Sequence, residues 1–155
     1  MRKILEKGTG KRSESDLNFL GNYLRYNDFF FNLSITKDNS TLEQCYRYMS
    51  IEFCKKNQFV FHFGQKGDKF YVILKGRVKV LAPNEHSLSS TEVLSLENMQ
   101  EAKVLEVGNS FGELALFSNK PRTASIFTME DCAFTVLKKK DFKRILCNIF
   151  LLKSR

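Results

Sequence analysis

The spacing of apolar residues along the chain changes period twice, and each change predicts a change of element. Between residues 16 and 57 the apolar positions recur at helical spacing, with Leu17, Leu20 and Leu24 marking a first helix. A second helix is signalled by Ser40 and Glu43 in capping-box relation, ahead of the stripe Leu42, Cys45, Tyr46 and Met49. The triplet Phe29-Phe30-Phe31 reads as an aromatic turn between the two. From about residue 58 the period becomes two: Phe59, Phe61 and Phe63 alternate with Val60 and His62, as in a strand with one buried face. The turn Gly64 to Lys69 (GQKGDK) leads into the apolar strand Phe70 to Leu74; Gly76 then punctuates, and Val78 and Val80 alternate with Arg77 and Lys79. Further strands are expected at Val104 to Val107, Ser125 to Thr128 and Ala133 to Leu137. Residues 82–103 are polar and long for a hairpin, and read as an insertion with one weak strand around Glu92 to Leu96. From about Lys138 the helical period returns, with Phe142, Ile145, Leu146 and Ile149 on one face. Asp141 stands near its start, where the helix dipole favours an acid.

This order predicts a mainly β fold with flanking helices: a jelly-roll-like β-roll, an N-terminal helical segment and a C-terminal helix. Residues 1–15 read as a basic flexible lead-in, 16–152 as one domain and 153–155 as a tail. Within the domain, 16–57 hold the N-terminal helices, 58–137 the β-roll and 138–152 the C-terminal helix. A chain of 155 residues can bury one substantial core, and 43% hydrophobic with 27% charged residues is a globular balance. No apolar run approaches the roughly 20 residues a membrane span needs, and the basic N-terminus lacks the apolar core of a secretory signal. The expected location is cytoplasmic.

Cys45, Cys54, Cys132 and Cys147 are scattered without a C-x-x-C pair, and the histidines are His62 and His86 alone. Neither a disulfide framework nor a metal site is expected from that set. The net charge of +8 gathers at the two ends, in Arg2, Lys3, Lys7, Lys11 and Arg12 and again from Lys138 to Arg155. Without an aromatic platform or a recognition helix this reads as solvated charge, so no nucleic-acid partner is expected.

Candidate chemistry concentrates in Phe111 to Ser125, FGELALFSNKPRTAS. Gly112 lets backbone approach a ligand closely. Glu113 to Phe117 can make one helical turn whose first amides form an anion site. Pro121 stops that turn and is expected to return the chain to a strand at Arg122, whose planar fork matches phosphate oxygens. Glu113, the acid of the segment, would be repelled by a phosphate and fits only if it accepts from hydroxyls. Two alternatives stand beside this: Ser110 and Glu113 are also in capping relation, and Arg122 could pair with Glu113 or Asp131.

The same segment is similar, almost position for position, to the phosphate-binding cassettes of cyclic-nucleotide-binding domains. These occur in cyclic-nucleotide-dependent kinases, gated channels and cAMP-activated exchange factors. FHFGQKGDKFYVILKGRVKV (Phe61 to Val80) resembles the first hairpins of that family, and the likeness covers roughly residues 16–150. The resemblance implies that Glu113 holds the ribose 2′-OH and Arg122 the cyclic phosphate. It places the amides of Gly112, Leu114 and Ala115 around the phosphate, and Ala124 in the wall. Gly64, Gly67 and Gly76 are read as turn glycines. In family members that prefer cGMP a threonine after the arginine can bond guanine, so Thr123 leans toward cGMP, while channels with this threonine still answer to cAMP.

The implied function is a cyclic-nucleotide sensor, a regulatory module of an intracellular signalling protein that binds cAMP or cGMP and no other cofactor. The alternative is a scaffold that keeps the fold and binds no nucleotide. No catalytic triad or metal motif is present in the sequence, so no enzyme is expected. A DNA-binding regulator is disfavoured because no helix-turn-helix fits after residue 150, and a cupin enzyme because two distant histidines cannot build its metal site. In the family a lid helix follows the first C-terminal helix. An effector domain or partner protein is therefore expected to supply or follow that lid.

Overall fold

Local capping chemistry sets the starts of three N-terminal helices. The computed structural model describes residues 1–83 and 99–153, so the weak strand expected around Glu92 to Leu96 lies outside the described residues. After a short helix α1 (Arg2–Leu5) and a 3-10 turn at Thr9–Lys11, helix α2 (Glu14–Leu24) opens on a reciprocal capping box. There the Ser13 hydroxyl accepts from the Asp16 amide and the Asp16 carboxylate accepts from the Ser13 amide. Helix α3 (Asp28–Thr36) is capped by Asn27, whose side-chain oxygen accepts from the Phe29 amide at 3.0 Å. The Asn27 amide group donates to the Gly108 carbonyl, tying the helices to the roll. The phenylalanine triplet therefore lies inside a helix and not in a turn: the Asn27 cap and burial of Phe30 override the turn reading. Helix α4 (Asn39–Tyr48) is capped by Asp38, which accepts from the Thr41 amide at 3.1 Å, and Ser40 takes no capping role.

The expected helical run to residue 57 stops early. Ser50–Cys54 is strand β1, because its residues pair in antiparallel register with strand β8 (Cys132–Lys138), from Ser50 opposite Val136 to Cys54 opposite Cys132. The other strands are β2 (Phe59–Phe61), β3 (Lys69–Lys75), β4 (Val78–Pro83), β5 (Met99–Leu105), β6 (Ser110–Phe111) and β7 (Ser125–Thr128). Strand β5 runs earlier than expected, since its pairing with β4 begins at Met99 opposite Pro83. Two four-stranded antiparallel sheets result, ordered β1-β8-β3-β6 and β2-β7-β4-β5. One-turn helix α5 (Leu114–Phe117) lies between β6 and β7, and α6 (Lys139–Lys153) follows β8.

Strand β3 explains why its sequence is apolar without interruption. Phe70 and Val72 pack in a cluster with Leu20, Phe30, Met49 and Phe142 from the helices. Tyr71 and Ile73 point the other way, into a second cluster between the sheets with Phe111, Ile126 and Phe134. A strand buried on both faces has no polar positions to alternate.

Two residues of the basic lead-in are buried against the folded body. Leu5 is buried, and the Arg12 guanidinium is enclosed against the end of α4. Its Nη1 donates to the carbonyls of Tyr46 and Arg47, and its Nη2 to those of Leu5, Lys7 and Met49, at 2.6–3.2 Å. A helix C-terminus exposes carbonyls without partners and carries partial negative charge, and a cation satisfies both conditions. Arg12 thus joins residues 1–15 to the folded body.

Candidate functional site

A cavity of about 360 Å³ opens between the second sheet and the segment around α5. Gly112, Glu113, Leu114, Ala115, Arg122, Thr123 and Ala124, each singled out from the sequence, all line it. The facing wall is apolar: Phe61 from β2, Val80 from β4, Leu105 from β5 and Ile126 from β7. Period two had marked the strands that carry these residues, but which of them share a cavity depends on how β2, β7, β4 and β5 are ordered in the sheet. Lys103 and Lys120 also stand in the lining, so its charged groups are three cations and Glu113.

Gly112 has φ +81, a left-handed conformation that a side chain resists, and it turns the chain from β6 into α5. The turn of α5 buries Ala115 and Leu116 and leaves Leu114 and Phe117 exposed. The Ala115 amide donates to the Gly112 carbonyl at 3.2 Å, so a ligand oxygen meets that amide in competition with an existing bond. Beyond Pro121 the strand begins at Ser125, three residues later than expected. Arg122 is held instead by two backbone bonds to the Gly64 turn: its amide donates to the Gln65 carbonyl and its carbonyl accepts from the Gly64 amide, each at 2.8 Å.

The Arg122 side chain is only 9% exposed. Nη2 donates to the Lys69 carbonyl at 2.9 Å, Nη1 reaches the Gly112 carbonyl at 3.4 Å, and the buried Nε has no partner. The Phe61 ring lies 3.9 Å from Cζ. No carboxylate pairs with it among the described residues. Burial lowers its pKa, against the attraction of Tyr71 and Asp68, yet a guanidinium starts so far above neutrality that it stays charged.

The alternative partners do not form. Glu113 is exposed, makes no side-chain capping bond at α5 and does not pair with Arg122, while the Asp131 carboxylate accepts from the Lys56 amide at 2.9 Å. At the far end of the cassette, Lys139 Nζ donates to the Ser118 carbonyl at 2.8 Å and to the Asn119 side chain, and Phe117 packs edge-on against Phe142. Those contacts join the cavity wall to the start of α6, and the sequence carried no signal for them.

The profile of the cyclic nucleotide-binding domain matches residues 51–148, which hold both sheets, the cassette and the first part of α6. The chain belongs to the cyclic nucleotide-binding domain family. This domain is 29% identical over 147 residues to Rap guanine nucleotide exchange factor 3 of Homo sapiens, covering 94% of this chain and 14% of that protein. It is 28% identical over 123 residues to cGMP-dependent protein kinase 2 of Homo sapiens, covering 77% of this chain and 15% of the kinase. Among solved structures, the regulatory domain of Toxoplasma gondii PKA with cAMP shares the fold at a TM-score of 0.68 and 21% identity, covering 87% of this chain and 46% of that one. A mutant regulatory subunit of a cAMP-independent protein kinase A from Trypanosoma brucei, bound to cAMP in its A site, does so at 0.66 and 19%, covering 89% and 46%. The domain thus spans only 14–15% of the length of these curated relatives.

Proposed function

We propose that this domain is a sensor for a cyclic nucleotide, cAMP or cGMP, and serves as a regulatory, non-catalytic module of an intracellular signalling protein. One observation carries the reading: Arg122 is a buried cation in a cavity wall with two carbonyl contacts and no counterion among the described residues. An uncompensated buried charge is costly, and an anion entering the cavity relieves that cost with charge-assisted bonds. Glu113, exposed and without a side-chain partner, is free to accept from a ribose 2′-OH. Phe61, Val80, Leu105 and Ile126 offer the apolar surface a sugar and base need, in a cavity at the lower end of the small-ligand range of about 300–1,000 Å³. Thr123, in the lining and exposed, can bond a guanine and tilts selectivity toward cGMP.

A signalling output requires occupancy to shift the balance between two arrangements of the terminal helices. The Lys139 and Phe142 contacts give the cassette a direct route to α6. An effector domain or a partner protein that supplies or follows a lid helix would read that shift. Calorimetric titration of the domain with cAMP and with cGMP tests the proposal. Micromolar or tighter binding of at least one nucleotide is expected; no heat with either would leave a scaffold that keeps the fold without the ligand.

A further inference from the structure

Arg122 sits in a slot bounded by two glycines and a ring. A β-carbon at Gly67 would overlap Nε and Cζ of Arg122 and stand 2.8 Å from its Cδ. On the other side, a β-carbon at Gly112 would lie 2.7 Å from Nη1. The Phe61 ring closes the remaining face at 3.9 Å from Cζ. The two glycines differ in kind. Gly112 has φ +81 and is required by its own backbone, whereas Gly67 is not among the positive-φ residues. Gly64, in the same turn, has φ +81 but open space around it. Gly64 is therefore a turn glycine in the ordinary sense, and Gly67 is not: what excludes a side chain at 67 is the arginine beside it.

We propose that Gly67 is a positioning residue for the anion-binding arginine. By lacking a β-carbon it lets the guanidinium lie between the Gly64–Asp68 turn and the cassette, with Nη2 on the Lys69 carbonyl, Nη1 near the Gly112 carbonyl and the residue in the cavity wall. The inference rests on the reading of Arg122 as the phosphate-holding group. The three atoms nearest a methyl at 67 all belong to the outer part of a flexible side chain, so the backbone can stay while the guanidinium must move. A displaced fork loses the alignment that makes an arginine–phosphate contact strong.

The test uses two readouts on Gly67→Ala. The first needs no nucleotide: the Nε–H of Arg122 is buried beside the Phe61 ring, so its NMR signal should be ring-shifted and slow to exchange with water. Gly67→Ala should abolish both properties. The second is titration with cAMP and cGMP, where Gly67→Ala should weaken binding by about tenfold or more and should add nothing in an Arg122→Ala background. An unchanged Nε–H signal overturns the proposal, as does an equal loss of affinity with and without Arg122. If the unsubstituted domain binds neither nucleotide, the functional reading fails and the slot is judged by the Nε–H signal alone. If Gly67→Ala does not fold, adding Arg122→Ala removes the overlap and should restore folding; failure to restore it also overturns the proposal.

Discussion

Two arginines in this domain are almost wholly buried, and their surroundings differ in a way that separates structure from binding. Arg12 is 6% exposed and Arg122 9%. Burial lowers the pKa of each first, and neither pairs with a carboxylate among the described residues. Arg12, however, donates to five carbonyls gathered at the end of α4 and in the N-terminal segment. Arg122 donates to two, one of them at 3.4 Å, and faces a cavity. Each leaves a buried Nε without a partner, but both terminal nitrogens of Arg12 are saturated by the fold, whereas those of Arg122 make one carbonyl bond each beside the cavity. Burial and charge alone would not tell them apart; counting satisfied donors does.

Substitutions can break that contrast. The largest effect is expected from Arg12→Ala, which strips partners from five carbonyls near the end of α4. A loss of about 3 kcal/mol or more in unfolding free energy is expected from urea titration, with nucleotide affinity of the remaining folded protein unchanged. Arg122→Ala should do the reverse. Binding should weaken by about 2 kcal/mol or more, roughly thirtyfold by calorimetry, while stability holds or rises because an uncompensated buried charge is gone. Equal destabilisation by the two substitutions would dissolve the distinction.

Smaller effects sharpen it. Thr123→Ala should lower the cGMP:cAMP affinity ratio by about 1 kcal/mol, the worth of one hydrogen bond; an unaltered ratio in parallel titrations removes the selectivity argument. The smallest effect concerns the N-terminal segment that Arg12 anchors. Asp16 has its pKa lowered by the hydrogen bond from Lys7 and then by the Ser13 amide. A depressed folded-state pKa stabilises above the unfolded value of about 3.9, and that contribution is lost as pH falls through the lower folded value. Acid unfolding of Asp16→Asn should therefore lack this component, seen as a shallower pH dependence of stability below about pH 4.

Several elements were legible because their signal is local. Leu17, Leu20 and Leu24, like Leu42, Cys45, Tyr46 and Met49, are buried as their spacing implied. Strand β7 occupies the expected residues, and β3 and β8 extend the expected ones by one residue at each end. The misreadings share a cause. Ser50–Cys54 is a strand because β8 pairs with it, from residues about eighty positions away. Phe29-Phe30-Phe31 is helical because Asn27 caps it and Phe30 fills a pocket shared with Phe70 and Tyr46. Of the basic residues before 16, Arg2, Lys3, Lys7 and Lys11 are exposed as expected; Arg12 alone is buried, and nothing in its own neighbourhood showed that α4 would end beside it.

The sequence by itself determined the family, the cassette and the residue types its chemistry needs. Gly112, Glu113 and Arg122 are close in the chain, so their relation survives as a motif. Only the tertiary structure decided what surrounds them. Lys69, 53 positions before Arg122, supplies its best carbonyl; Phe61 supplies its ring; and Gly67 leaves the room in which it lies. Short-range spacing encodes which groups are present. The number of donors left unsatisfied on one of them depends on contacts between distant segments, and these exist only once the two sheets and the helices have packed.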